Sequence, residues 1–330
     1  MIRFAVIGTN WISHAFCRAA HETGRLLLQA VYSRQLDTAQ SFAAEYGVSQ
    51  CYDDLEAMAG NKDIDAVYIA SPNAFHASQA QLFLKYGKHV IIEKPIASNV
   101  TEVNQLINLA KENNVVLFEA MKTRYLPNMD VCKATLPKLG KLRKAYFSYC
   151  QYSSRYQRYL DGENPNTFNP AFSNGSLMDI GIYPLSAAVE LFGAPNSFTA
   201  NGNLLESGVD AEGSLTLHYQ DFEVLIAHSK VSDGHIPSEI QGEQGTLLID
   251  FISECKGVTL MERGHPVKDL TRMPIAKESQ AENTMEYEAA AFAELIENKE
   301  IDHPGLAKTL EVSRIITEAR KTLGVIFPAD

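Results

Sequence analysis

The sequence predicts an α/β protein in two parts: a mostly parallel sheet covered by helices over residues 1–121, then an antiparallel sheet with helices over residues 122–330. Three observations carry this. Apolar β-branched runs alternate with helical-period segments through the first third, the alternation stops near residue 121, and strand-like segments then follow one another across Gly, Asp and Ser turns.

The elements follow in order. Arg3 to Ile7 reads as a strand, Trp11 to Glu22 as a helix, Leu26 to Tyr32 as a strand and Thr38 to Tyr46 as a helix. The beat repeats with a strand at Ala66 to Ala70, a helix at Ala77 to Tyr86, a strand at His89 to Ile92, a helix at Val103 to Glu112 and a strand at Val115 to Phe118. Such alternation implies crossover units and helices on both faces of the sheet. Further on, Leu142 to Tyr152, Ser214 to Tyr219, Phe222 to His228 and Thr246 to Phe251 alternate as strands do, and helices near Thr284 to Asn298 and Leu306 to Leu323 close the chain.

Composition narrows the partners. The chain has 330 residues, 45% of them hydrophobic and 21% charged, enough for two domains with cores of their own. A formal net charge of -11 without a basic, aromatic-interleaved stretch argues against nucleic acid. Cys17, Cys51, Cys132, Cys150 and Cys255 form no Cys-x-x-Cys pair, so they read as small buried hydrophobes of a reducing compartment. The chain enters its first strand with no charged-then-apolar leader, and no apolar run approaches the ~18 residues of a membrane span. The expected location is the cytoplasm, with no membrane partner.

The candidate chemistry gathers at strand tips, which line the ligand crevice of an open parallel sheet. Gly8-Thr9-Asn10-Trp11-Ile12-Ser13 follows the first strand, where a dinucleotide fold shows Gly-x-Gly-x-x-Gly or Ala. Gly8 matches, Ser13 is small enough for close helix packing, and Asn10 takes the second glycine's place as a residue that tolerates left-handed dihedrals. Trp11, the only tryptophan, either packs or covers the phosphates. At the second tip stand Ser33 and Arg34, where an NAD-selective fold carries Asp or Glu. A hydroxyl beside a guanidinium fork suits a 2'-phosphate, so NADP(H) is the expected cofactor, with NAD(H) possible.

The third tip supplies Ser71-Pro72-Asn73 and, three residues on, His76, which act either on the nucleotide or as turn and cap residues. At the fourth, Lys88 to Ile92 runs into Glu93-Lys94-Pro95, and Pro95 bars the strand from continuing, so Lys94 is presented at its end. In the second half, Asn174-Gly175-Ser176-Leu177-Met178-Asp179-Ile180-Gly181-Ile182-Tyr183-Pro184 opens a helix, and a continuous helix would set Asp179 and Tyr183 on one face. A tyrosine, with a pKa of about 10, needs a cation beside it to work as an acid or base near neutrality, and Lys94 is the candidate.

These segments, together with Gly87-Lys88-His89-Val90, resemble the Gfo/Idh/MocA family of oxidoreductases over nearly the whole chain. The resemblance implies an N-terminal Rossmann domain, a C-terminal α+β domain with a large open-faced antiparallel sheet, and dimers or tetramers joined through that sheet. It also implies that Lys94 contacts both substrate and nicotinamide ribose, and that Asp179 is the aspartate of the family's Asp-x-Gly-x-His pattern. Tyr183 stands in the place of that histidine, as it does in the branch of dimeric dihydrodiol dehydrogenases and NADP-linked xylose dehydrogenases. Glu119 to Tyr125 looks like the family's domain-crossing stretch, which sets Arg124 toward the nicotinamide.

The expected catalytic set is therefore Lys94, Asp179 and Tyr183. The expected cofactor set is Gly8, Thr9, Asn10, Trp11, Ile12, Ser33, Arg34, Ser71, Asn73, His76, Glu93, Lys94 and Arg124. The expected reaction is hydride transfer between a nicotinamide and a hydroxyl/ketone carbon of a sugar, polyol or related diol. A nucleotide-binding sensor and an inactive structural subunit are the rival readings, and no metal site is expected because no histidine pair lies at helical spacing beside a carboxylate.

Overall fold

The structure, a computed structural model, describes residues 1–272 and 283–330, which form two compact units. The first unit takes Met1–Ala120 together with Asn283–Leu310. Its elements are β1 (Ile2–Ile7), α1 (Trp11–Glu22), β2 (Leu26–Tyr32), α2 (Leu36–Ala44), β3 (Gln50–Tyr52), α3 (Leu55–Ala59), β4 (Ala66–Ile69), α4 (His76–Lys85), β5 (His89–Glu93), α5 (Val100–Glu112) and β6 (Leu117–Ala120). All neighbours pair in parallel in the order β3-β2-β1-β4-β5-β6. Strands covered on both faces need apolar residues at every position, and Ala66 to Ile69 are buried throughout. Val67, Ile69, Val90 and Ile92 meet Phe83 of α4 and Leu106 of α5 in one core. β1 lies between β2 and β4, so the crossovers leave it in opposite directions and open a crevice at the tips of β1 and β4.

The second unit takes residues 121–272 and 311–330 of the described chain. It contains α6 (Pro127–Thr135), β7 (Leu142–Cys150), α7 (Tyr156–Leu160), α8 (Ile182–Phe192), β8 (Ser197–Leu204), β9 (Asp210–His218), β10 (Glu223–Ser229), β11 (Ser238–Gly242), β12 (Gly245–Asp250), β13 (Gly257–Glu262) and β14 (Lys268–Asp269). The sheet order is β14-β13-β12-β11-β7-β10-β9-β8. Four of these eight strands were read from the sequence, as parts of an antiparallel sheet, and one pair departs: β10 lies parallel to β7, with Leu225 opposite Tyr146. A parallel pair needs a long crossover, and the chain makes one through α7 and α8 between these strands.

After the sheet, α9 (Met285–Asn298) returns to the first unit, and α10 (Pro304–Leu323) begins there, its residues from Glu311 on belonging to the second. The division is thus not one cut at residue 121. α9 packs on α1, Asn283 donates to the Ala15 carbonyl at 2.7 Å, and Arg25 pairs with Glu297. Cys17, Cys132 and Cys255 are buried as expected of small hydrophobes, whereas Cys51 and Cys150 are partly exposed. Among the described residues no helix is long and apolar enough to cross a membrane.

Candidate functional site

In the first unit the residues expected at strand tips do collect at the ends of adjacent strands. Gly8 has φ +99°, and a Cβ there would lie 2.7 Å from the Ala70 carbonyl oxygen, so only glycine lets the loop pass the tip of β4. Asn10 corrects the sequence reading: its backbone is extended, with φ -91° and ψ 179°, and needs no left-handed tolerance. Its side chain works instead. Oδ1 accepts the N–H groups of Ile12 at 3.0 Å and Ser13 at 3.3 Å, capping α1, while Nδ2 donates to the Ala70 carbonyl at 3.0 Å. Trp11 is 74% exposed, which rules out a packing role in this unit's core. Ser33 and the exposed Arg34 follow β2 directly.

The third and fourth tips are clasped together by His76. Its Nδ1 lies 2.9 Å from the Pro95 carbonyl and its Nε2 2.8 Å from the Ser71 carbonyl, and the ring is 1% exposed. Its pKa is lowered, chiefly by burial, against the smaller opposing pull of the two carbonyls. Buried between these two carbonyls, His76 is placed to hold the two turns together, its single N–H going to one carbonyl or the other when the ring is neutral. The Ser71 hydroxyl donates to Gln79 at 2.7 Å, and Asn73 opens the short 3-10 turn Asn73–Phe75. Lys94, joined to Pro95 by a cis peptide bond, therefore sits on a turn held from one side by His76. From the other side, Glu119 of β6 accepts the Ile96 N–H at 3.2 Å and the Thr309 hydroxyl at 2.8 Å. Glu93 accepts from the buried Tyr68 hydroxyl. A turn that excludes a Cβ at Gly8, the N-terminus of a three-turn helix after it and a β2 tip bearing Ser33 and Arg34 together fit a dinucleotide.

The second unit presents Asp179 and Tyr183, but not on one regular helix. Leu177–Gly181 forms a π-helical turn, and α8 begins only at Ile182. The cause lies beneath that turn. The Asp210 carboxylate accepts the Leu177 N–H at 2.6 Å, and the Ser176 hydroxyl sits 2.8 Å from His228 Nδ1. A Cβ on Gly175, which has φ +149°, would fall 2.3 Å from Asp210 Oδ1, and one on Gly181 would fall 2.9 Å from His228 Cγ. The two glycines of the Asn174-to-Tyr183 motif thus make room for an acid and an imidazole from β9 and β10. Burial raises the Asp210 pKa to about 6 and lowers that of His228 to about 3. The ring is therefore neutral near pH 7, and its 3.9 Å approach to Asp210 is not an ion pair.

Lys230 follows β10, two residues beyond His228, and its ammonium pairs with the Asp179 carboxylate. Sequence reasoning missed it. A lysine after a strand carries no distinguishing signal, and its partner lies far away in the sequence. Tyr183, half-buried in the first turn of α8, stands edge-on to Tyr149 with ring centroids 5.7 Å apart, and Tyr149 stands 5.4 Å from Phe251. Arg124 is 5% exposed in the 3-10 turn Lys122–Tyr125, which packs on α8. A phenol, an ion-paired carboxylate and an aromatic row are the means by which a site grips the hydroxyls and the apolar face of a polyol and moves a proton.

Comparison with known proteins places this arrangement. Residues 2–121 match the Gfo/Idh/MocA family model described as an oxidoreductase family with an NAD-binding Rossmann fold, and residues 137–248 match the Gfo/Idh/MocA C-terminal domain. The chain is 58% identical over 330 residues to YgjR of Escherichia coli (strain K12), an uncharacterized oxidoreductase, covering 100% of this chain and 99% of that one. It is 47% identical over 332 residues to scyllo-inositol 2-dehydrogenase (NADP(+)) IolU of Bacillus subtilis (strain 168), covering 100% and 99%. Among solved structures, levoglucosan dehydrogenase in complex with NADH shares the fold with a TM-score of 0.84 at 19% identity, over 99% of each chain.

Proposed function

The chain belongs to the Gfo/Idh/MocA family of NAD(P)-dependent oxidoreductases acting on CH–OH groups, and from that premise we propose an NADP(H)-preferring dehydrogenase of a sugar, polyol or related diol. The observation that carries this reading is the head of α8, where a half-buried phenol, Tyr183, follows within one turn of the ion-paired Asp179. The similarity to IolU, whose name specifies both scyllo-inositol and NADP(+), supports the substrate class and the cofactor together.

The cofactor, when bound, supplies the hydride acceptor or donor. Gly8, Thr9, Asn10, Trp11 and Ile12 are the proposed pyrophosphate loop, Ser33 and Arg34 the proposed holders of the 2'-phosphate, and Ser71, Asn73, Glu93 and Arg124 further cofactor contacts. His76 supports them from behind. The chain's own chemistry is a proton transfer. Tyr183 moves the proton of the reacting hydroxyl, Lys94 orients that hydroxyl and stabilises the phenolate, and Asp179 accepts from a hydroxyl on a neighbouring carbon.

Tyr183→Phe tests the assignment. With scyllo-inositol and other polyols, turnover should fall on the order of 10²- to 10⁴-fold, the scale of a lost general acid or base. NADPH binding should stay nearly unchanged. Full activity in this variant would remove Tyr183 from the acid/base role.

A further inference from the structure

A partly exposed carboxylate can grip a substrate hydroxyl only if it is held in one rotamer, and the surroundings of Asp179 show what holds it. The Asp179 side chain is 30% exposed, whereas that of its partner Lys230 is 8% exposed. The ammonium is thus sealed under the carboxylate, and the acid alone presents a face outward. Lys230 is itself fixed by main-chain bonds, its N–H donating to the Ala211 carbonyl at 3.0 Å and its carbonyl accepting from Ser153 N–H at 2.8 Å. Two residues back, His228 meets Ser176 just before the π-helical turn that carries Asp179. The turn and its counter-charge are therefore aimed from one strand end, by His228 of β10 and by Lys230 just after it.

We propose that Lys230 is a positioning residue of the substrate site, acting through Asp179: it pins that carboxylate toward a neutral polyhydroxyl substrate, whose hydroxyl beside the reacting carbon the carboxylate then accepts. The proposal rests on the dehydrogenase reading above. A buried ammonium strongly favours keeping its carboxylate, because an unpaired charge inside a protein is costly. The pairing therefore persists with substrate absent, and Asp179 needs no reorganisation when a polyol arrives. Because the two charges cancel, this part of the site suits an uncharged ring of hydroxyls better than a substrate bearing its own carboxylate or phosphate.

The test is a set of four full-length proteins, Lys230→Met, Lys230→Arg, Asp179→Asn and the double variant Lys230→Met/Asp179→Asn, assayed with scyllo-inositol and NADP+ against wild type. Lys230→Met should raise KM for the polyol about 10- to 100-fold with a smaller change in kcat, the pattern of lost substrate binding. NADPH affinity should be unaltered, and Lys230→Arg should recover most of the loss. Added to Asp179→Asn, the Lys230→Met change should cost no more than about twofold, because the lysine acts only through that carboxylate. Unchanged kinetics in Lys230→Met, or losses that multiply in the double variant without rescue by arginine, would overturn the proposal. The same proteins unfolded by heat keep the pair testable apart from the reaction. Tm shifts that fail to add show the Asp179–Lys230 coupling, and additive shifts sink it. If wild type turns over no polyol while the coupling is present, the dehydrogenase reading falls and the pair stands.

Discussion

In the proposed cofactor site Arg34 is the side chain that would select NADP(H) over NAD(H). It is exposed after β2, next to Ser33, and a planar fork of donors matches a 2'-phosphate but offers nothing particular to a 2'-hydroxyl. Arg34→Ala should therefore weaken NADPH about tenfold or more, the scale of one charge-assisted pair, and leave NADH almost unchanged. Trp11 reports it without a label. The indole is 74% exposed in the proposed pyrophosphate loop, so its fluorescence should respond as either nucleotide is titrated. Equal losses for NADPH and NADH would show that Arg34 does not read the 2'-phosphate. At this scale the sequence was uneven. The place of Lys94 at a strand end was legible because a proline stops the strand at once, and the tight turn at Gly8 because a glycine follows an apolar run directly. Asn10 was read for the wrong property, since side-chain capping looks the same in a sequence as backbone tolerance does. Lys230 was not legible at all, because pairing a lysine with Asp179 requires knowing that β10 runs beneath residues 176–181.

The π-helical turn Leu177–Gly181 carries Asp179, and the buried acid beneath it, Asp210 of β9, makes it sensitive to pH. The Asp210 pKa is raised from 3.8 to about 6, chiefly by burial. The folded protein then holds this proton more tightly than the unfolded chain does. The cost of burying the anion is absent below about pH 4, grows between pH 4 and 6, and is complete above pH 6. Wild type should accordingly lose stability relative to Asp210→Asn across that window, by up to roughly 3 kcal/mol at 1.36 kcal/mol per unit. Urea unfolding of both proteins between pH 4 and 8 measures it, and a constant difference would mean that Asp210 keeps an ordinary pKa. Gly181→Ala strikes the same element sterically, since its Cβ would press on the His228 ring and on Leu177. The turn was hidden in the sequence, where Asp179 and Tyr183 suggested an unbroken helix. Only the glycines at 175 and 181 hinted otherwise, and their purpose appears once Asp210 and His228 are seen to fill the space. Strand legibility followed the same rule. β5 and β10 carry apolar patterns that need no neighbour to be read, whereas β8, with Asn201-Gly202-Asn203 inside it, is a strand because β9 pairs along it.

For the molecule as a whole the open question of association falls on the eight-stranded sheet. Along its strands residues alternate, Val224 and Ile226 facing the covered side and Leu225 and Ala227 the partly exposed one. In register across the middle of the open side run Leu225, Tyr146, Glu239 and Leu248, none of them fully buried. Antiparallel and mixed sheets tolerate one wet face, but Leu, Tyr and Leu in one row on central strands are apolar surface that a second copy of the same sheet would cover. The proposed assembly is accordingly a homodimer, or a tetramer built from it, joined face to face through these strands. A two-fold interface brings a central residue close to its own copy, so a single introduced charge acts twice. Leu225→Glu should therefore shift the protein toward the monomer at micromolar concentration, while its two buried neighbours on β10 keep the protomer folded. Light scattering after size exclusion gives the mass of both proteins. A monomeric wild type, or a variant that associates as wild type does, would place the contact elsewhere.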